Sequence, residues 1–176
     1  VTSMSDTLLV RGARQLLTLH GPKEPRRGFA LKELGIIPDG ALLVRDGIIE
    51  EVGPTRRVEN LALARGAREI DAAGKVVMPG FVDSHTHLAF GAPWLEDYEA
   101  RIAGVNPLDA MSGWRAGAHA LRTMSARRLE AHCRAALDAM ARHGTTTVEV
   151  KSGLGCDPAL DLKVLRVLAR LDGAPL

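Results

Sequence analysis

Two histidines one residue apart carry the clearest chemistry in this sequence. They sit in the run Val77-Met78-Pro79-Gly80-Phe81-Val82-Asp83-Ser84-His85-Thr86-His87-Leu88. Pro79-Gly80 breaks whatever precedes it, so the apolar pair Phe81-Val82 starts a new element. The run reads as a buried strand that ends in His-Thr-His. Side chains on a strand alternate between faces with a period of two, so His85 and His87 point one way and Thr86 the other. Two imidazoles on one face at the end of a strand could share one divalent metal ion, and zinc or iron suits imidazole nitrogen. The plain alternative is a pair of satisfied or exposed histidines.

The elements around that strand follow from local patterns. Leu8-Leu9-Val10 and Leu16-Leu17-Thr18-Leu19, separated by Gly12, read as two short strands. Gly21 to Gly35 is loop-rich. The apolar runs at residues 41–45 and 48–52 flank Asp46-Gly47, the strongest short hairpin signal, because a type I′ turn needs positive φ at both central residues. Residues 69–71 and 75–78 flank a turn at Ala72-Ala73-Gly74.

After the histidines, residues 88–105 read as a long loop holding Trp94, Tyr98, Gly91 and Gly104. Asn106-Pro107 reads as an N-cap with proline in the first turn, followed by a poor helix interrupted by Gly113 and Gly117. Ser125 begins a better helix that ends near His143, with Gly144 as its stop. Leu129, Cys133, Leu137 and Met140 form its buried stripe. The β-branched residues 145–151 are a strand. Asp157-Pro158 caps a last helix through Leu160, Val164, Leu168 and Leu171. Strand, helix, strand, helix argues for an α/β protein with a parallel sheet.

Bulk properties narrow the class. The chain has 176 residues, 46% hydrophobic and 25% charged, which suits a soluble globular protein. A net charge of +2 gives no reason to expect a nucleic-acid or membrane partner. No apolar run is long enough for a membrane span and no signal peptide is evident. Cys133 and Cys156 form no Cys-x-x-Cys pair and read as free thiols in a reducing compartment, so a cytoplasmic location is expected.

The block Pro79-Gly80-Phe81-Val82-Asp83-Ser84-His85-Thr86-His87 resembles the first-strand signature of the amidohydrolase superfamily of metal-dependent hydrolases. Within it, three further blocks resemble the imidazolonepropionase family: Phe90-Gly91; Glu99 with Arg101-Ile102-Ala103-Gly104; and Gly144-Thr145-Thr146-Thr147-Val148-Glu149-Val150-Lys151-Ser152-Gly153. The helix carrying residues 162–167 adds to that likeness. The resemblance implies a (β/α)8 barrel of the TIM type in which His85 and His87 end strand 1 and bind one catalytic divalent metal ion, zinc or iron. It implies that residues 1–79 are the N-terminal part of a composite β-sandwich module and residues 80–176 the first two βα units of the barrel. It also implies hydrolysis of a C–N bond in a cyclic amide, as in histidine degradation, with a small-molecule substrate. A homo-oligomer is compatible with it.

This sequence departs from the family at three positions. Trp94 stands where the family has an arginine for the substrate carboxylate, Pro107 where it has a tyrosine, and Leu154 where a tyrosine follows Lys-Ser-Gly. Tryptophan cannot supply bidentate carboxylate recognition, so an altered, apolar pocket is expected. A closed barrel typically needs about 250 residues. The chain therefore reads as truncated after two βα units, with the remaining metal ligands and the acid–base groups expected beyond Leu176, and with no catalysis by this part alone. The alternative is a non-catalytic remnant, or a fragment that assembles with another chain.

Other polar residues have plainer readings. His20, His119, His132 and His143 are expected on the surface or in packing. Asp83 could support the histidines from behind or serve the barrel floor. Lys151 ends a strand at the presumed catalytic face, with a structural or substrate-side role favoured over metal bridging. Glu149 points the same way by alternation, where a buried ion pair competes with a catalytic role.

Overall fold

A computed structural model describes residues 6–91, 95–105, 112–153 and 157–171. The chain divides into two compact units, Val1–Pro79 and Gly80–Leu176.

The first unit is built on one sheet. Its strands are β1 (Thr7–Leu17), β2 (Ile36–Arg45), β3 (Ile48–Pro54), β4 (Arg68–Asp71) and β5 (Val76–Val77), with a short helix α1 (Thr55–Val58) after β3. The order is β3-β2-β1-β4, and β5 also pairs with β1. The β2–β3 hairpin turns at Asp46-Gly47 as expected. Arg45 pairs with Ile48, and the two turn residues have φ of 50° and 81°.

β1 is one strand, where two were expected. Gly12 does not end it but forms a bulge: Val10 pairs with Leu42 and Ala13 with Gly40, so β1 carries one extra residue against β2. Gly12 takes φ +72°, which costs glycine little. Its N–H donates to Thr55 Oγ1 at 3.0 Å, and the Thr55 hydroxyl donates to the Asp39 carbonyl at 2.9 Å. The two segments expected to flank a turn at residues 72–74 both lie along β1 and run parallel to it.

Strand alternation makes both faces of this sheet apolar. Leu9, Ala41, Leu43, Val58 and Ala64 form one buried cluster; Ala13, Leu16 and Ala72 form another, with Leu42 and Val52 packed on it. A sandwich needs a second sheet, and the described residues of this unit contain only the one.

The second unit contains β6 (Phe81–Thr86), α2 (Leu95–Ile102), α3 (Ser112–Thr123), α4 (Ala126–Arg142), β7 (Thr145–Val150) and α5 (Pro158–Leu171). β6 and β7 pair in parallel, as the strand–helix alternation implied. The limits of α4 follow its capping residues. Ser125 Oγ accepts the Arg128 N–H at 3.2 Å, and Gly144 ends the helix with φ +90°. Asp157 Oδ1 accepts the N–H groups of Ala159 and Leu160 at 3.0 and 3.4 Å and so caps α5. The core joins Leu129 and Cys133 of α4 to Leu160, Val164, Val167 and Leu171 of α5, with Leu88 and Ala89 between β6 and α2. The Lys163 ammonium on α5 donates to the Leu121 and Met124 carbonyls at the end of α3, both at 2.5 Å.

Two expectations need correction here. Residues 88–105 are not all loop, because α2 occupies part of them. Its C-terminus is a Schellman motif: Gly104 takes φ +78°, its N–H donates to the Arg101 carbonyl, and the Val105 N–H donates to the Ala100 carbonyl at 2.9 Å. The helix expected after residue 107 does form, as α3, with Gly113 and Gly117 inside it. The backbone at Gly91 comes so close that a Cβ there would meet the Gly117 carbonyl and the Leu121 nitrogen. The strand bearing the histidines is not buried either: Phe81 is 54% and Val82 68% exposed. β6 has β7 on one edge and no other strand beside it among the described residues. The expected N-cap at Asn106-Pro107 lies outside the described residues. No helix among the described residues is long and apolar enough to cross a membrane.

Candidate metal centre

The parallel pairing of β6 with β7 brings the C-terminal ends of both strands side by side. His85 is near the end of β6, His87 follows its last residue, and Lys151 follows β7. The register breaks twice. Phe81 pairs with Thr145 but Val82 with Thr147, so Thr146 is extra on β7. Then Asp83 pairs with Val148 and Thr86 with Val150, so Ser84 and His85 together oppose Glu149 alone. That second irregularity is a bulge in β6, at the first histidine. Pro79-Gly80 also has a local reason: a Cβ at Gly80 would collide with the Thr146 side chain.

The two imidazoles converge. Their Nε2 atoms are 3.3 Å apart, with ring centroids 5.3 Å apart and planes inclined at 54°. His85 is exposed and His87 half-buried. A tetrahedral zinc ion with Zn–N bonds of ~2.0–2.1 Å needs two donor nitrogens about 3.3–3.4 Å apart. The observed separation fits that chord. Among the described residues, no group of three or more His, Cys, Asp or Glu side chains comes together as a complete ligand set.

The surroundings of the pair are polar and local. The Thr86 hydroxyl donates to the Glu149 carbonyl at 2.7 Å, and the Lys151 N–H donates to the Thr86 carbonyl at 2.9 Å. Asp83 Oδ1 accepts the His85 N–H at 3.3 Å, so this carboxylate supports the backbone of a histidine. Burial holds the His87 imidazole below its ordinary value; the charges of His85 and Lys151 push the same way and Glu149 opposes them. A depressed value favours the neutral ring, the form that ligates metals. Beneath the site, the buried Cys133 thiol donates to the Leu88 carbonyl at 3.8 Å, and burial pushes its pKa up.

The structure places the other sequence candidates as follows. Glu149 and Lys151 are both exposed, so of the two readings of Glu149 the buried ion pair does not form. His132 lies edge-on to Phe90 with centroids 6.3 Å apart, and His143 caps the end of α4. His20 and His119 are exposed. Trp94, Pro107, Leu154 and Cys156 lie outside the described residues. A shallow surface dimple lies beside the end of β7 between Ala89, Leu121, Lys151, Ser152 and Asp161, without the histidines on its wall. Sequence reasoning placed Thr86 on the opposite face from the histidines but missed what its hydroxyl does. The only available signal was a β-branched hydroxyl residue held between two candidate ligands.

Parts of this chain are similar to known proteins. The model of the Amidohydrolase family matches residues 68–120, which include both histidines. The imidazolonepropionase of Solibacter usitatus is 40% identical over 172 residues, covering 96% of this chain and 41% of that protein. The imidazolonepropionase of Chloroflexus aggregans is 40% identical over 173 residues, covering 95% of this chain and 39% of its own length. The chain thus spans about two fifths of the curated relatives it matches. Among solved structures, guanine deaminase from Bradyrhizobium japonicum aligns with a TM-score of 0.61 at 21% identity, over 93% of this chain and 33% of that one. A metal-dependent hydrolase from Pyrococcus furiosus aligns with a TM-score of 0.56 at 14% identity, over 94% of this chain and 47% of that one. These structural likenesses establish a shared α/β fold. In sequence the chain is similar to imidazolonepropionases along the portion of such a protein that it spans, and to the Amidohydrolase family over residues 68–120.

Proposed function

We propose that the complete protein is a metal-dependent hydrolase that opens a C–N bond in a small cyclic amide, and that His85 and His87 hold its divalent ion. The observation that carries this reading is the pair of Nε2 atoms 3.3 Å apart at the C-terminal end of a parallel strand. In a barrel enzyme, that end of the strands is where active sites are built. Zinc or iron fits the imidazole donors. A cation held there supplies Lewis acidity, which polarises a carbonyl and makes water a better nucleophile near neutral pH.

The chain's own residues contribute placement. Thr86 and Asp83 fix the backbone that carries the rings, and Lys151 puts a positive charge beside them. Residues 1–79 supply the β-module and residues 80–176 the opening βα units of the barrel, with the remaining ligands and the proton-transfer groups outside this span. Trp94 in place of an arginine favours a substrate less dependent on carboxylate recognition than imidazolonepropionate. The free, buried thiol of Cys133 fits a cytoplasmic enzyme.

The second reading, a non-catalytic fragment, is favoured by one observation: the described residues bring only two ligands together. Isolation of the native polypeptide from its source cells separates the two. The hydrolase reading expects a species heavier than 18.8 kDa that contains these peptides, binds about one metal ion per chain and hydrolyses a cyclic amide. A metal-free species of 18.8 kDa without hydrolytic activity supports the fragment and overturns the hydrolase.

A further inference from the structure

We infer that Thr86 and Asp83 are positioning residues that set the spacing of His85 and His87, and through it the bite offered to a divalent cation. The inference deepens the metal reading above and rests on it. On a regular strand, residues two apart have Cα atoms about 6.5–7 Å apart and project nearly parallel side chains. Here the ring nitrogens meet at 3.3 Å, and a bulge lies between Asp83 and Thr86. Bulges raise local twist and re-aim side chains.

Two clamps hold this one. On the N-terminal side, Asp83 Oδ1 accepts the His85 N–H at 3.3 Å. On the C-terminal side, Thr86 is tied to β7 twice: its carbonyl accepts the Lys151 N–H at 2.9 Å and its hydroxyl donates to the Glu149 carbonyl at 2.7 Å. Thr86 is the residue between the two ligands, so rotation about its φ and ψ turns one imidazole relative to the other. Its hydroxyl is spent on Glu149, so its effect on a cation passes through the histidines.

The test uses the 176-residue chain and four variants: T86V, which keeps the β-branch and removes the hydroxyl; T86S, which keeps the hydroxyl; D83A; and the double variant H85A/H87A. Zn²⁺ affinity is read by chelator competition, and Co²⁺ is used as a spectroscopic probe. Outer partners of metal ligands typically change affinity by about 10–100-fold. T86V is expected to weaken Zn²⁺ binding by that factor and to change the Co²⁺ ligand-field bands, D83A to weaken it about 10-fold, and T86S to restore it. Equal affinity and equal spectra for T86V and the unmodified chain overturn the positioning role while leaving the metal reading intact. An unmodified chain that binds no better than H85A/H87A overturns metal binding by this pair within the 176-residue span instead. The metal-free chain then gives a separate answer: an NOE between the His85 and His87 ring protons should be strong in the unmodified chain and in T86S and weak in T86V. An unchanged NOE in T86V ends the inference.

Discussion

The bulge in β1 and the bulge in β6 each insert one residue against a neighbouring strand, and the two are held differently. The first uses glycine with positive φ and a buried threonine, Thr55, which accepts the Gly12 N–H and donates onward to Asp39. The second has no glycine. Among the described residues, non-glycine positive φ occurs at Leu19, Asp39 and Asp46, not at Ser84 or His85. It relies on Asp83 and on Thr86, in a region where Phe81 and Val82 are largely exposed. The first bulge lies between two apolar clusters and shapes a sheet. The second lies beside two imidazoles and aims them. The same insertion thus serves packing where both faces are covered, and ligand geometry where they are not.

The comparison can be broken by substitution. Gly12→Val places a β-branched residue at φ +72° and should cost about 1–3 kcal/mol, read as a lower urea midpoint. Thr55→Val removes both bonds of a buried hydroxyl and should cost about 1–2 kcal/mol. Ser84→Val on the exposed bulge should stay within about 0.5 kcal/mol of the unmodified chain; a loss as large as that of Gly12→Val would show that the two bulges are alike. Smallest of all is a pH effect at Cys133. Burial raises its pKa, so the folded chain keeps the thiol proton to higher pH than the unfolded chain. Its contribution is present below the ordinary thiol range and is lost as pH rises through it. The urea midpoint should fall with alkaline pH slightly more for the unmodified chain than for Cys133→Ala, and iodoacetamide should label Cys133 only in denaturant.

What the sequence revealed was local. Asp46-Gly47 marked a hairpin because its turn demands positive φ at both positions, and Ser125, Gly144 and Asp157 marked helix ends because they satisfy the free backbone groups there. His85 and His87 were legible as a pair on one face because a strand alternates. The bulges were not legible, since a register shift depends on the residue count of a partner far along the chain. β4 and β5 flank a turn, as their residues suggest, but their parallel pairing with β1 left no local mark. α2 was hidden because Gly91 and Gly104 read as loop, although one serves close packing and the other ends the helix. The exposure of β6 was missed because apolar residues alone do not say whether a second strand lies alongside.

Lys163 has a consequence for the order of synthesis. The carbonyls of Leu121 and Met124 at the end of α3 are held by an ammonium 42 and 39 residues later in the chain. A ribosome that has translated α3 and α4 has made a helix whose C-terminal carbonyls await a lysine not yet synthesised. Translation must pass residue 163, and that lysine must clear the exit tunnel, before this contact at the end of α3 can form.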